Sequence, residues 1–134
     1  HDHLALVVHQ DHPLASRKSV SFEHTLKYEH VGLPPSAAVQ TMLGRAAAEA
    51  GQVICYRAIV SNFDAELRVV AAGLGISITP RQIAQRYEKL YGIRVIELTN
   101  AFAHRRFALC FRGLDTLQPA ARRLVEFLEQ RAEA

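Results

Sequence analysis

Short apolar runs alternate with longer amphipathic segments along this chain, and this alternation restricts the fold more than any other feature. Leu4–His9 is short and almost entirely apolar, which is typical of a strand covered on both faces, and residues 76–79 are expected to form a second buried strand. Apolar residues recur at helical spacing in the longer segments, for example between residues 39 and 50. Such alternation predicts an α/β, Rossmann-like fold in which helices cover a mixed, mostly parallel sheet. The other predicted strands are residues 30–33, 53–60, Ile93–Leu98 and 105–112, and the other predicted helices are residues 22–26, 62–73, 80–88 and 117–128.

Two of the predicted helices begin at residues suited to capping. Ser36 is the expected N-cap of the helix that follows a pair of prolines, and Gly51 is its expected left-handed stop. Ser61 or Asn62 is expected to cap the helix that follows residues 53–60. Asp64 is placed for a capping-box contact to Ser61.

The stretch VVAAGLGISITP, residues 69–80, has the glycine spacing of a phosphate-binding loop. A dinucleotide fingerprint needs a strand before the glycines and a helix after them, whereas here a helix precedes and a strand follows. No lysine follows at the spacing of a P-loop. Gly73 is therefore expected to end a helix, and Gly75 to make a tight turn into a buried strand.

The composition indicates one globular domain without a nucleic-acid or membrane surface of its own. The 134 residues are 49% hydrophobic and 22% charged, which suffices for a core. The net charge is only +3 and basic residues come in pairs, whereas DNA binding uses a concentrated basic face. No apolar stretch approaches the roughly 20 residues that span a bilayer, and the N-terminus lacks the pattern of a secretion signal.

Cysteine and histidine positions indicate neither a disulfide framework nor a metal site. Cys55 and Cys110 each lie in an apolar, strand-like run and are expected to be buried thiols of a reducing compartment. His1, His3 and His9 would share one face of a strand, but six residues of strand separate His3 from His9 by roughly 20 Å. We therefore expect no metal and no cofactor.

A nucleophilic enzyme is not indicated either. Ser36, Ser61 and Ser77 are present, but residues 75–79 do not form the G-x-S-x-G pattern that exposes a nucleophile on a strand-to-helix turn. Ser36 and Ser61 already have an expected use as helix caps. No catalytic residue is therefore assigned.

Two helix entrances remain as candidate ligand-binding positions. In open α/β sheets, ligands bind beyond the carboxyl ends of the strands. Two predicted strands end in residues that open a helix, where free amides and the helix dipole suit a carboxylate or another anion. Apolar neighbours would cover the body of the ligand. The residues are Pro34, Pro35 and Ser36 at one entrance and Ser61, Asn62 and Phe63 at the other, and ordinary capping is the alternative explanation.

Three segments together resemble the regulatory part of LysR-type transcriptional regulators. DHPLA, residues 11–15, is similar to the "dHPLA" that follows a strand in that family. LRVVAAGLGISITP, residues 67–80, resembles its "lalVaaGlGialLP" segment. The ending, in which a strand is followed by LDTLQPAARRLVEFL, is similar to the family's final strand and "lspaaraFl". The order and spacing agree over essentially the whole chain.

This resemblance implies a two-lobe domain similar to periplasmic solute-binding proteins, with an effector cleft between the lobes. Residues 1–12 and 99–134 would be a remnant of the first lobe, and residues 13–98 would form the second lobe. The family's winged helix-turn-helix, linker helix and early first-lobe strands have no counterpart here, so the chain is interpreted as N-terminally truncated. The positions that match second-lobe effector contacts are Pro34, Pro35, Ser36, Ser61, Asn62 and Phe63.

The resemblance also implies a function. The chain would be the effector-sensing domain of a bacterial, cytoplasmic transcription factor that binds a small anionic metabolite. The full protein would be a dimer or tetramer and would contact DNA only through its helix-turn-helix. A lobe of a periplasmic-type solute-binding protein is the alternative, and a small enzyme is the third class considered. A signal peptide in the gene would favour transport, and two convergent titratable groups in the cleft would favour an enzyme.

Overall fold

A computed structural model of the chain describes residues 3–104. The predicted strand and helix at residues 105–112 and 117–128, and with them Cys110, lie outside the described residues, as does His1. Six strands and four α-helices alternate along the described part, followed by one short 3-10 helix. They are β1 (Leu4–His9), β2 (Ser19–Val20), α1 (Phe22–Thr25), β3 (His30–Gly32), α2 (Ala38–Glu49), β4 (Tyr56–Ile59), α3 (Phe63–Ala71), β5 (Ser77–Pro80), α4 (Arg81–Tyr91), β6 (Ile93–Leu98) and the 3-10 helix Ala101–His104.

One reversed strand organises an otherwise parallel arrangement. The four-stranded sheet has the order β2-β6-β1-β5, and β1 runs antiparallel to both of its neighbours, while β2 and β6 are parallel. The second sheet pairs β3 with β4 in parallel. A parallel bridge between His30 and Ile76 connects the two sheets beside β5. Every strand except β1 therefore points the same way, which confirms the predicted α/β fold with a mixed sheet.

β1 lies between two strands that belong to another predicted lobe. Leu4–His9 was expected in the first lobe, yet it lies between β5 and β6, both of which belong to the region 13–98 expected to form the second lobe. Leu6 pairs with Ile78 on one side and Ile96 on the other. The assignment of residues 1–12 and 99–134 to the first lobe and of residues 13–98 to the second stays a prediction.

Because strand side chains alternate between faces, β1 contributes to two separate core layers. Leu4, Leu6 and Val8 point into the larger cluster, which includes Phe22 and residues of α2. Val7 points into the smaller cluster on the opposite face, formed with α3 and α4. Helices on both faces thus bury the five apolar residues of the strand, as its continuous apolar sequence predicts, and leave His9 at its end partly exposed.

The start of α2 corrects the prediction for Ser36. The N-cap residue of α2 is Ala37, and no side chain caps this helix. Ser36 instead lies in a turn in which the Ala37 amide donates to the Pro34 carbonyl at 2.9 Å. Pro35 favours this turn because its fixed φ suits the second turn position, and the helix consequently starts later than expected.

The ends of α3 and α4 are set by glycines. Gly73, with φ 77°, ends α3 as predicted. Gly92 occupies the left-handed C-cap of α4. This helix was expected to end near Glu88 but continues to Tyr91, because Tyr87 and Tyr91 extend the stripe that packs on the smaller core cluster.

β4 is shorter and more exposed than predicted, and this corrects the expectation for Cys55. The strand lies at the edge of its sheet with one neighbour, and alternate side chains along it are exposed because successive residues of a strand point to opposite faces. Cys55 is exposed rather than buried. Val53, just before it, is 84% exposed. Cys55 therefore stays exposed, although the sequence around it is apolar, because this segment lies at the edge of a sheet.

Among residues 3–104, no helix has both the length and the apolar character needed to span a bilayer.

Gly75 should tolerate no side chain. Its φ is 157°, and a Cβ there would lie 2.9 Å from Val31 Cγ2 and 3.2 Å from the Glu29 carbonyl oxygen. We expect Gly75→Ala to lower the free energy of unfolding by at least about 1–2 kcal/mol, measured by urea denaturation. Gly44→Ala is the matched control, because a Cβ at this position in α2 meets nothing within 4 Å. It should raise stability by about 0.5–1 kcal/mol, and equal effects of the two changes would contradict this account.

His30 should make the fold sensitive to acid. Burial lowers the pKa of His30 to about 4, against the opposing effect of its hydrogen bond with the Thr25 carbonyl. The unfolded chain, with a pKa of 6.5, then binds the proton more readily. Stability contributed by neutral His30 is therefore lost as the pH falls from 6.5 towards 4, by at most about 1.4 kcal/mol per pH unit.

The difference in free energy of unfolding between the parent and His30→Gln should accordingly become smaller as the pH is lowered from 7 to 5, measured by urea titration. His24→Gln, at a partly exposed position of α1, serves as the control and should show no such narrowing. A constant gap for His30→Gln would mean that His30 is not the acid-sensitive group.

Candidate functional site

The two segments predicted as effector contacts leave neighbouring strands at the same edge of the sheet. β3 and β4 are parallel, so their carboxyl ends coincide. The Val60 amide donates to the Gly32 carbonyl at 2.8 Å, just beyond the end of β4. The segment with Pro34 then continues from β3, and the segment with Asn62 continues from β4. Both helix entrances therefore begin side by side, as the topology of an open α/β sheet requires of a ligand site.

The first entrance presents uncapped backbone donors. Pro34, Pro35 and Ser36 are all exposed. Since no side chain caps α2, the first amides of this helix have neither an intrahelical acceptor nor a capping oxygen. Such amides, with the positive end of the helix dipole behind them, are suited to a carboxylate or phosphate.

The second entrance is capped by its own sequence. Asn62 Oδ1 accepts from the Ala65 amide at 2.8 Å, which confirms Asn62 as the N-cap. Ser61 Oγ accepts from Asn62 Nδ2 at 3.4 Å. Phe63 is half-buried and packs against the larger core cluster, while Ser61 and Asn62 are exposed. This entrance therefore offers an amide, a hydroxyl and part of an aromatic ring to a ligand.

The charge of the first turn of α3 is internally balanced. Asp64 was expected to contact Ser61, but its carboxylate instead accepts from Arg68 Nε at 3.0 Å and from the Tyr91 hydroxyl at 3.0 Å. The capping-box prediction is therefore wrong, because a cation and a phenol within reach bind the carboxylate more strongly than a backbone amide would. The pairing leaves little net negative charge to oppose an anion beside Asn62.

A second acidic side chain of this turn, Glu66, is buried beneath it. Glu66 is 1% exposed, and its Oε1 accepts from Thr79 Oγ1 at 2.8 Å. Burial raises the pKa of Glu66 to about 8, against the opposing hydrogen bonds of the Thr79 and Ser77 hydroxyls. The carboxyl is therefore protonated and uncharged at neutral pH, and it adds no charge to the helix entrance.

Tyr56 and Gln40 form a hydrogen bond between the elements that carry the first helix entrance and its neighbouring strand. Gln40 Nε2 donates to the Tyr56 hydroxyl, joining α2 to β4. Burial raises the pKa of Tyr56, while the hydrogen bond from Gln40 opposes this and the Glu66 carboxyl adds to it. Gly32 is required between them, because a side chain there would collide with the Tyr56 ring. This partly buried hydrogen bond fixes the first turn of α2 to the start of β4.

These buried polar residues were missed by the sequence reading, although the sequence carries a signal for them. Ser77 and Thr79 alternate within a strand that is otherwise apolar, which places both hydroxyls on one face. Glu66 lies three residues after Phe63 and four before Val70, on the buried stripe of α3. A charged residue on an apolar stripe opposite two buried hydroxyls indicates a contact between them.

The described residues do not assemble other reactive groups at this edge. Among residues 3–104, no three histidine, cysteine or acidic side chains come together in a way that could hold a metal ion. Ser77 is fully buried, and its hydroxyl interacts with Thr79 at 2.9 Å. The arrangement is therefore one of hydrogen-bond donors at helix entrances.

Comparisons with solved structures show similarity to regulatory domains. The effector-binding domain of QuiR in complex with shikimate superposes with a TM-score of 0.67 at 22% identity, over 74% of this chain and 46% of that one. The BenM effector-binding domain with its effector benzoate gives a TM-score of 0.60 at 20% identity, over 77% and 48%. The CcmR regulatory domain of Synechocystis PCC6803 in complex with 2-PG gives 0.66 at 11% identity, over 98% and 63%.

The chain thus spans about half the length of the first two of these structures. No curated protein sequence is similar enough to this chain to count as a match. The family model described as the LysR substrate binding domain, however, matches residues 1–133. The chain belongs to the family of LysR substrate-binding domains, the ligand-sensing regulatory domains of LysR-type transcription regulators.

Proposed function

We propose that this chain senses a small anionic effector at the edge formed by Pro34, Pro35 and Ser36 on one side and Ser61, Asn62 and Phe63 on the other. The observation that carries the proposal is the uncapped start of α2 beside the entrance of α3. Both follow the carboxyl ends of adjacent parallel strands. An anion placed between them would receive backbone donors from α2 and side-chain donors from Ser61 and Asn62.

The chemistry of the entrances favours a carboxylate joined to a compact body. The amides suit the charged end, and the two prolines with the half-buried Phe63 ring suit the body of the ligand. The related structures with shikimate and benzoate contain ligands of this class. These ligands belong to those proteins and serve here as guides for a choice of test compounds.

The sensed ligand would act on transcription through a change in domain arrangement. An effector shifts such an equilibrium only by its different affinity for the two arrangements. We infer that the chain works in a cytoplasmic regulator that assembles as a dimer or tetramer and binds DNA through a separate winged helix-turn-helix. The chain itself would carry no catalytic role and no cofactor.

The first test is a thermal-shift titration of the complete regulator that contains this chain, with shikimate, benzoate and 2-PG as starting compounds. A ligand that binds the folded state raises the unfolding midpoint in a concentration-dependent way. Binding of a carboxylate but not of its amide is the expected result. A panel of small carboxylates that leaves the midpoint unchanged throughout would contradict the proposal.

Asn62→Asp separates binding from folding. Aspartate caps a helix as well as asparagine does, and its charge is favourable at the N-terminus, so the unfolding midpoint should stay equal or rise. The same charge repels an anionic ligand, and we expect the affinity for a carboxylate effector to fall by roughly tenfold or more.

Gln52→Glu is the matched control for that change in charge. It adds the same charge at an exposed position beyond the C-terminal end of α2, at the opposite edge of the sheet. Effector affinity should be unchanged in this variant. An equal loss in both variants would indicate a general charge effect and would remove Asn62 from the site.

A further inference from the structure

Glu66 is a buried carboxyl group for which the described structure provides hydrogen bonds but no counter-charge. Its side chain is 1% exposed. The ion pairs among residues 3–104 involve other acidic groups, Asp64 with Arg68 being the one on the same helix. A carboxylate in such a position is costly unless it is paired, so the neutral form is favoured.

The partners of Glu66 are two hydroxyl groups on one face of β5. Thr79 Oγ1 lies 2.8 Å from Glu66 Oε1, and Ser77 Oγ lies 2.9 Å from Thr79 Oγ1. Both hydroxyls are fully buried. The three side chains form a continuous polar contact that fastens the first turn of α3 to β5.

Four other titratable groups on the elements around α3 have their own partners. Tyr56 of β4 interacts electrostatically with Glu66, but its hydroxyl is bound by Gln40. On α4, the Tyr91 hydroxyl donates to Asp64. His30 of β3 bonds to the Thr25 carbonyl, and His9 lies at the end of β1 beside Asp11. The contact with β5 therefore depends on Glu66 and the two hydroxyls.

The location of this contact connects it to the helix entrance. The Glu66 amide donates to the Asn62 carbonyl at 3.1 Å, so the carboxyl is anchored one turn beyond the N-cap. The turn between them contains Asp64, whose charge is already paired with Arg68. If Glu66 lost its proton, its negative charge would have no cation paired with it in this turn.

We propose that Glu66 is a proton-controlled latch that holds the first turn of α3 against β5 while its carboxyl is protonated and releases that turn, with the Asn62 entrance, when the proton is lost. Once the turn is released, water solvates the carboxylate, so the free-energy cost of burying a charge is avoided. Its effect on an anionic effector rests on the proposed function, because an open or charged entrance would bind an anion less well. The latch itself does not depend on that function.

The direction of the pH effect follows from proton linkage. Burial holds the pKa of Glu66 at about 8 in the closed form, and a released carboxyl returns towards its ordinary value of 4.5. The open form then binds fewer protons than the closed form between these two values. The equilibrium constant for opening therefore rises by up to about tenfold per pH unit from about pH 5 to pH 8. Above that range it is constant.

Hydrogen exchange measured by mass spectrometry on the full chain tests the latch. Labelling times at pH 5.5 and pH 7.5 are adjusted so that the intrinsic exchange is equal. We expect peptides covering Phe63–Ala71 to lose at least about tenfold in protection between these values, because local opening limits their exchange. In Glu66→Gln, whose side chain is uncharged throughout, this loss should be absent.

Two further variants distinguish the latch from other causes. Glu49→Gln removes a carboxylate at an exposed position of α2 and should keep the parental response. Thr79→Val keeps the branched shape but removes the hydroxyl that favours the charged form. The titration midpoint of the Glu66 carboxyl, followed by carbon NMR, should therefore move to higher pH.

Three outcomes would overturn the proposal. One is a parental response that persists in Glu66→Gln. Another is an equal loss of protection in β1, which would indicate global unfolding rather than release of one turn. The third is a Glu66 carboxyl that titrates at its ordinary value in the parent chain.

Discussion

The burial of β1 between two oppositely covered faces is the constraint on which the rest of this structure depends. Its side chains enter one core layer at Leu6 and the other at Val7, and both are fully buried. Hydrogen bonds to β5 and β6 satisfy its backbone on both edges. Helices must therefore cover both faces of the sheet, and neither layer can form without this strand.

The reversed direction of β1 also explains why binding groups collect at one edge. With β1 running against them, all the other strands end at the same side of the sheet. The helices that follow these strands begin there, and their positive ends point towards the same region. The exposed Ser36 and the cap of α3 at Asn62 are therefore consequences of sheet topology combined with local sequence.

The extent to which the sequence predicted this fold depends on how local each feature is. β1 and β6 have the predicted bounds, and Gly73 ends α3 as expected, because continuous apolar runs and helix-stop glycines act over a few residues. Ser36 was assigned to the wrong position because a proline turn competes with capping. Cys55 was expected to be buried because the sequence does not state which strand has an open edge.

The sequence was sufficient to propose positions for the candidate site, but not to identify the buried residues that pack beneath it. The two helix entrances could be found because strand ends and capping residues are visible in the sequence. The contact of Glu66 with Thr79 could not be placed in the same way, since it joins a helix and a strand across a turn. The effector contacts assigned to Pro34, Pro35, Ser36, Ser61, Asn62 and Phe63 stay predictions. The lobe boundaries at residues 12 and 99 stay predictions too.

The position of β1 in the chain has a consequence for how the domain assembles during synthesis. Its two partners are translated long after it: α1, α2 and α3 are made before β5, and α4 is made before β6. Loop-closure entropy must be overcome before this pairing stabilises anything, so such topologies fold slowly. Until β5 and β6 are made, the segment LALVVH lacks both of these pairing partners and is prone to aggregate. An apolar strand is therefore exposed to other chains for as long as its partner strands are still being made.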